Sequence, residues 1–135
     1  MMKRDMTETL NQENQVLTAL CKGFRERFRM RRYEDCEKAA LAAMAEHPHA
    51  AQPHNLLGVL MEEKGDHLTA MRHFRAAWAL DPTYLPARYN MELTGDFFSH
   101  GPCAIDEDDC PRPSREPRYK VEYDDRGVGH VVRRK

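Results

Sequence analysis

The chain has 135 residues, of which 32% are charged, and its formal net charge is −1 at pH 7. That length leaves room for one domain and a tail. The near-neutral charge gives no global indication of a nucleic-acid, membrane or acidic partner. No apolar run approaches the ~18 residues of a membrane span, and the N-terminus lacks a signal-peptide core. These features predict a soluble, cytoplasmic chain without a disulfide framework.

Three amphipathic helices are predicted in the first half. The first covers about residues 10–30, with apolar residues three or four positions apart at Val16, Leu17, Leu20, Phe24 and Phe28. The second begins near Tyr33 and ends before Pro48, which disfavours helical geometry in the residue preceding it. The third opens after Pro53 and stops at Gly65, a typical helix terminator.

Two more helices complete the predicted bundle. The fourth is capped by Asp66 and closes at Asp81-Pro82, and its inner face carries Ala70, Phe74, Ala77 and Leu80. The fifth runs from about Tyr84 to His100, with Tyr89, Leu93 and Phe97 at helical spacing.

The composition changes at residue 101, which predicts a helical domain over 1–100 and a tail over 101–135. Prolines and an acidic run fill the first part of the tail, which cannot fold alone. Further on, alternation at Tyr119, Val121 and Tyr123, then a turn, then alternation at Val128, His130 and Val132 indicate a β-hairpin. An isolated hairpin is marginal in water, so a docked hairpin and a disordered tail both remain open.

A repeat is visible in the middle of the chain. Pro48 and Pro82 lie 34 positions apart. The interval holds His54-x2-Leu57-Gly58-x2-Met61, then Gly65, Ala70-x3-Phe74, Ala77 and Pro82. This pattern resembles the tetratricopeptide repeat (TPR) family, which has Trp and Tyr where this chain has His54 and Met61. The full match covers about residues 51–82; the preceding repeat is half-matched, and the fifth helix resembles a terminal cap.

The resemblance implies an all-α fold, in which antiparallel helical hairpins stack as a short right-handed solenoid. It implies that Gly58 and Ala70 face each other at a helix crossing, with Leu57, Phe74 and Leu80 around them. It also implies a protein–protein interaction adaptor that binds a partner peptide or helix in its concave groove, without catalysis or a cofactor.

Placed on the repeat, the predicted groove residues come from three helices. They are Asn55, Val59 and Glu62 of the third helix, Tyr89 and Leu93 of the fifth, and Arg25 with Cys21 of the first. Asn55 supplies an amide suited to a peptide backbone. Asn55 and Asn90 also suggest the family's carboxylate clamp, but no matching Lys/Arg set accompanies them.

Two hairpins are few for a repeat stack, since about three are usually needed for stability. We therefore expect either self-association or a tail that covers an open face. Self-association gives an alternative function, an assembly subunit without a peptide ligand.

A basic cluster ends the first helix: Lys22, Arg25, Arg27, Arg29, Arg31 and Arg32. It is either a solvated helix end or a docking site for nucleic acid or an acidic segment, including the chain's own residues 106–109. His100, Cys103 and Cys110 are weak zinc candidates, because the usual closely spaced Cys pairs are absent. Cys103 is the best candidate for an exposed reactive thiol. A nucleic-acid or metal-binding module is the less favoured alternative.

Overall fold

The computed structural model describes residues 6–95, 102–111, 119–123, 125–127 and 129–133. Its helices are α1 (Met6–Arg29), α2 (Tyr33–Glu46), α3 (Gln52–Glu63), α4 (His67–Leu80) and α5 (Leu85–Gly95). Residues 6–95 are thus all-α, as predicted. A 3-10 turn follows at Glu107–Asp109. Strands β1 (Tyr119–Tyr123) and β2 (Gly129–Arg133) pair antiparallel, with Tyr119 opposite Arg133 and Tyr123 opposite Gly129.

Local chemistry explains several helix ends. Asp66 caps α4, because its side chain accepts a hydrogen bond from the Thr69 N–H at 3.2 Å. Gly65 adopts a left-handed φ of +83° in the turn before that cap. α1 begins at Met6, four residues earlier than predicted. The predicted helical residues Phe97 and His100 lie outside the described ranges.

Each helix packs on the next in the chain, and α3 also contacts both α1 and α5. α1, α3 and α5 therefore line one face of the stack. Gly58 permits the α3–α4 contact, since a Cβ there would lie 2.3 Å from Phe74 Cε1. The three atoms nearest to that position all belong to Phe74. The Phe74 ring therefore lies nearer to Gly58 than Ala70 does.

The core lies where the helices meet and contains Phe24, Cys36, Leu56, Leu60 and Phe74, all fully buried. Two predicted inner residues are wrong. Val16 is 52% exposed, because the buried stripe of α1 is formed by its neighbour Leu17 with Cys21 and Phe24. Leu80 is 38% exposed in the last turn of α4.

The same core includes Ile105, which is 7% exposed although it lies beyond the predicted domain boundary at residue 101. Part of the tail therefore covers the helical stack, one of the two expectations for so short a repeat. None of the helices in the described ranges is long and apolar enough to cross a membrane.

Candidate functional site

The face formed by α1, α3 and α5 holds residues 102–110, here called the docked segment. Ala104 is fully buried, and Ile105 packs in the core cluster beside Val59 and other core residues. The helical side contributes Arg25 from α1, Asn55 from α3 and Asn90 from α5. We call this face the inner groove.

Two buried asparagines hold the main chain of the docked segment. Asn90 donates from Nδ2 to the Ala104 carbonyl at 2.8 Å and accepts the Ala104 N–H at Oδ1, at 2.6 Å. Asn55 Nδ2 donates to the same carbonyl at 3.0 Å, and Asn90 Nδ2 also donates to Asn55 Oδ1 at 2.8 Å. Both side chains are 0% exposed. Asn55 Nδ2 also lies 3.5 Å from the Ile105 carbonyl, so the amides are satisfied by each other and by the backbone of Ala104 and Ile105, as buried polar groups require.

This arrangement recognises backbone rather than side chain. A primary amide presents one acceptor and a two-proton donor side by side, so Asn90 matches the N–H and C=O of a single residue. The partner residue must be small, because Ala104 has no exposed surface.

An ion-pair contact holds the acidic end of the docked segment. Arg25 donates to Asp109 through two parallel bonds of 2.9 and 2.7 Å, and its Nη2 lies 2.9 Å from Asp106 Oδ1. Asp109 Oδ2 also accepts the Ile105 N–H at 3.0 Å. Bidentate, charge-assisted geometry of this kind is among the stronger polar contacts in proteins.

The ion pair shifts the pKa values of Arg25 and Asp109. The hydrogen bond to Asp109 raises the pKa of Arg25. Burial by itself raises the pKa of Asp109, but the bonds from Arg25 and from the Ile105 N–H outweigh it, so the net shift is downward. Both groups thus stay charged at neutral pH.

Two cavities border the docked segment. One of about 400 Å³ is lined by Cys21, Tyr84 and the docked residues 106–108, among others. Cys21 and Tyr84 share a hydrogen bond there; burial raises the pKa of Tyr84, and raises that of Cys21 to about 11. A second cavity of about 510 Å³ is lined in part by Val59, Glu62 and Tyr89. Room for further ligand residues thus remains beside the docked segment.

Most predicted groove residues lie at this site. Asn55 and Arg25 contact the docked segment directly, while Val59, Glu62 and Tyr89 line the larger cavity. Cys21 lines the smaller one. Leu93 is half-buried on α5 and lines neither of these two cavities.

The structure adds residues that the groove prediction lacked. Asn90 makes the closest backbone contacts, and the sequence suggested it only as part of a carboxylate clamp. It binds an internal carbonyl and N–H instead. Ala104 and Ile105 carried no signal, because two adjacent apolar residues in an acidic, proline-rich stretch show no helical or strand periodicity.

Arg25 is the member of the basic cluster that contacts the acidic run, so the hypothesis that residues 106–109 fold back onto the cluster is confirmed at this one residue. The expectation that Cys103 is an exposed thiol is wrong. It packs against the core, and burial raises its pKa to about 11. Among the described residues, no three His, Cys, Asp or Glu side chains are grouped to hold a metal ion, and the zinc candidate His100 lies outside them.

Comparison of this chain with protein-family models, with curated proteins and with solved structures gives no match.

Proposed function

We propose that this chain is a protein–protein interaction adaptor of the TPR type, which holds a non-helical segment of a partner protein in the inner groove. The observation that carries the proposal is the pair of buried asparagines on the backbone of Ala104. Contacts to main-chain groups do not depend on which protein supplies the segment, so the same amides suit a segment from another chain.

The packing supports the TPR assignment. Gly58 lies against the Phe74 ring where α3 and α4 meet, and Gly65 makes the tight turn between them. The first helix of each hairpin and the final helix line the inner groove, the face by which such repeats bind.

A segment that is not α-helical at the contacted residue fits better than a helix. In a helix the N–H and C=O groups bond to each other, so they are not free for an asparagine amide. In the docked segment both groups of Ala104 point to Asn90. We accordingly assign as ligand a polypeptide segment that is not α-helical at the contacted residue, and no catalytic role. The four free cysteines support a reducing, cytoplasmic location.

The test is selection of binders from a displayed library of random linear peptides. The full chain is used in two forms, wild type and Ala104→Pro, which removes the N–H that Asn90 accepts and so unseats the docked segment. Binders are expected, and Asn55→Ala or Tyr89→Ala should abolish their binding. Arg75→Gln is the control, because Arg75 is exposed on α4. Failure to select any binder, or binders indifferent to Asn55 and Tyr89, would overturn the proposal.

A further inference from the structure

The docked segment has the properties of a ligand that the chain supplies to itself. It touches the groove through the backbone of Ala104 and Ile105, one aliphatic side chain and two carboxylates, all within residues 104–109. Sequence distance separates it from its contacts, since Asn55 and Ala104 are 49 positions apart. The same set of contacts is available to a separate polypeptide.

We propose that the inner groove selects an acidic partner segment of the pattern small–aliphatic–acidic–x–x–acidic, and that residues 102–110 occupy the groove as an internal competitor. The inference rests on the proposed function and names its ligand. Each position of the pattern corresponds to a contact of the docked segment with the inner groove.

The small position corresponds to Ala104, which is fully buried between two asparagine side chains. A longer side chain there would displace the amides that recognise the backbone. The aliphatic position corresponds to Ile105, which belongs to the same core cluster as Val59 and Leu56. A polar side chain there would lose its hydration without a partner.

The acidic positions correspond to Asp106 and Asp109, which share the Arg25 guanidinium. The 3-10 turn at Glu107–Asp109 brings them to the same side, and the Asp106 side chain caps that turn through the Asp108 N–H. Glu107 and Asp108 are exposed and do not contact Arg25 in the described structure. The charge of these two residues is therefore separable from the recognised charge, which provides a matched control.

The docked segment competes with a free peptide because it is covalently joined to the helical stack. Six residues separate Gly95, the end of α5, from Pro102. Short tethers give effective concentrations on the order of 1 mM. A free peptide with the same contacts is therefore almost excluded at micromolar concentration until the internal contacts are weakened.

The experiment uses the full chain and a fluorescein-labelled peptide with the sequence of residues 102–111, under reducing conditions. Asp106→Asn with Asp109→Asn in the chain should tighten peptide binding about fivefold, which corresponds to about 1 kcal/mol. Glu107→Gln with Asp108→Asn removes the same charge and should leave the affinity at the wild-type value. Peptide in which the residues matching Asp106 and Asp109 are asparagine should bind the first variant about fivefold more weakly than the unchanged peptide does.

A second measurement follows release of the docked segment itself. Alkylation of Cys103, mapped by mass spectrometry, should accelerate in the Asp106→Asn/Asp109→Asn chain, because the half-buried thiol becomes accessible. Faster alkylation without tighter peptide binding would show that the segment is only a structural cover, and would overturn the inference. Unchanged alkylation would overturn it as well, since the carboxylates would then not hold the segment.

The failure of this inference is distinct from failure of the proposed function. Random-library binders that depend on Asn55 and Tyr89 but lack the acidic pattern would leave the function standing and overturn the ligand assignment. Concentration-dependent dimerisation of the Asp106→Asn/Asp109→Asn chain without binding of the peptide would also overturn it, with a second copy as occupant. If that double variant does not fold, the peptide comparison is made on Ala104→Pro, which leaves all helical residues unchanged.

Discussion

The two ends of the docked segment are bound by different kinds of interaction. At Ala104 the partners are neutral amides without exposed surface, whereas at Asp106 and Asp109 the partner is Arg25, whose side chain is 24% exposed. Removing a partner from a buried hydrogen bond leaves the remaining group unsatisfied. A partly exposed ion pair is instead weakened by solvent and salt. The asparagines should therefore determine where the segment lies, and Arg25 should tune how firmly it stays.

The largest effect is expected from Asn90→Ala. It removes both bonds to Ala104 and the donor to Asn55 Oδ1, so the free energy of unfolding should fall by about 2–5 kcal/mol. Asn55→Ala should be milder, at about 1–2 kcal/mol, because the Ala104 carbonyl keeps its bond from Asn90. Urea denaturation of both variants measures the difference. Equal losses would show that the two amides act equivalently, contrary to the geometry.

A smaller, salt-dependent effect is expected from Arg25→Gln. The ion pair is partly exposed, so its loss should lower the free energy of unfolding by about 1 kcal/mol or less near physiological salt. The loss should shrink further at about 1 M salt, where the screening length is about 3 Å. Arg75→Gln is the control for charge alone. A loss at Arg25 that is independent of salt would mean that packing of the side chain, rather than its charge, holds the segment.

The smallest effect is expected in the pH dependence of the free energy of unfolding. The folded-state pKa of Asp109 lies below its unfolded value of about 3.9. Its contribution to stability is thus complete above about pH 4 and is lost as the pH falls through the lower, folded-state pKa. Wild type should therefore exceed Asp109→Asn in free energy of unfolding at pH 7 and 5, and the gap should close below about pH 4. Denaturation curves at these pH values measure it. A gap that widened on acidification would contradict the downward shift.

Much of the helical architecture could be predicted because it is local. Gly65 marks the turn after α3, and Asp66 caps the start of α4. The apolar spacing of α1 and α4 identifies most of the buried stripe. The errors occur at the edges of stripes. Val16 sits one position from Leu17, and a turn of 100° per residue is enough to move it into solvent. Periodicity selects a face but does not fix its width.

The residues of the inner groove also divide into those that the sequence predicts and those that it does not. Asn55 and Arg25 could be predicted because the repeat pattern assigns them to the groove. Ala104 and Ile105 could not, since only docking across a large sequence separation gives them partners. The sequence predicts an exposed Cys103 for the same reason. An acidic, proline-rich stretch lacks any local reason to be buried, so its burial depends on the surface offered by other helices.

The sequence by itself determined the order of the five helices, the Gly65 turn and the Asp66 cap, because each depends on neighbours within a few positions. Only the tertiary structure decided what the groove contains. The contacts of Asn90, Asn55 and Arg25 with residues 104–109 join distant parts of the chain. They form because buried amides and a half-buried guanidinium need partners, and the nearest ones lie on the chain's own tail.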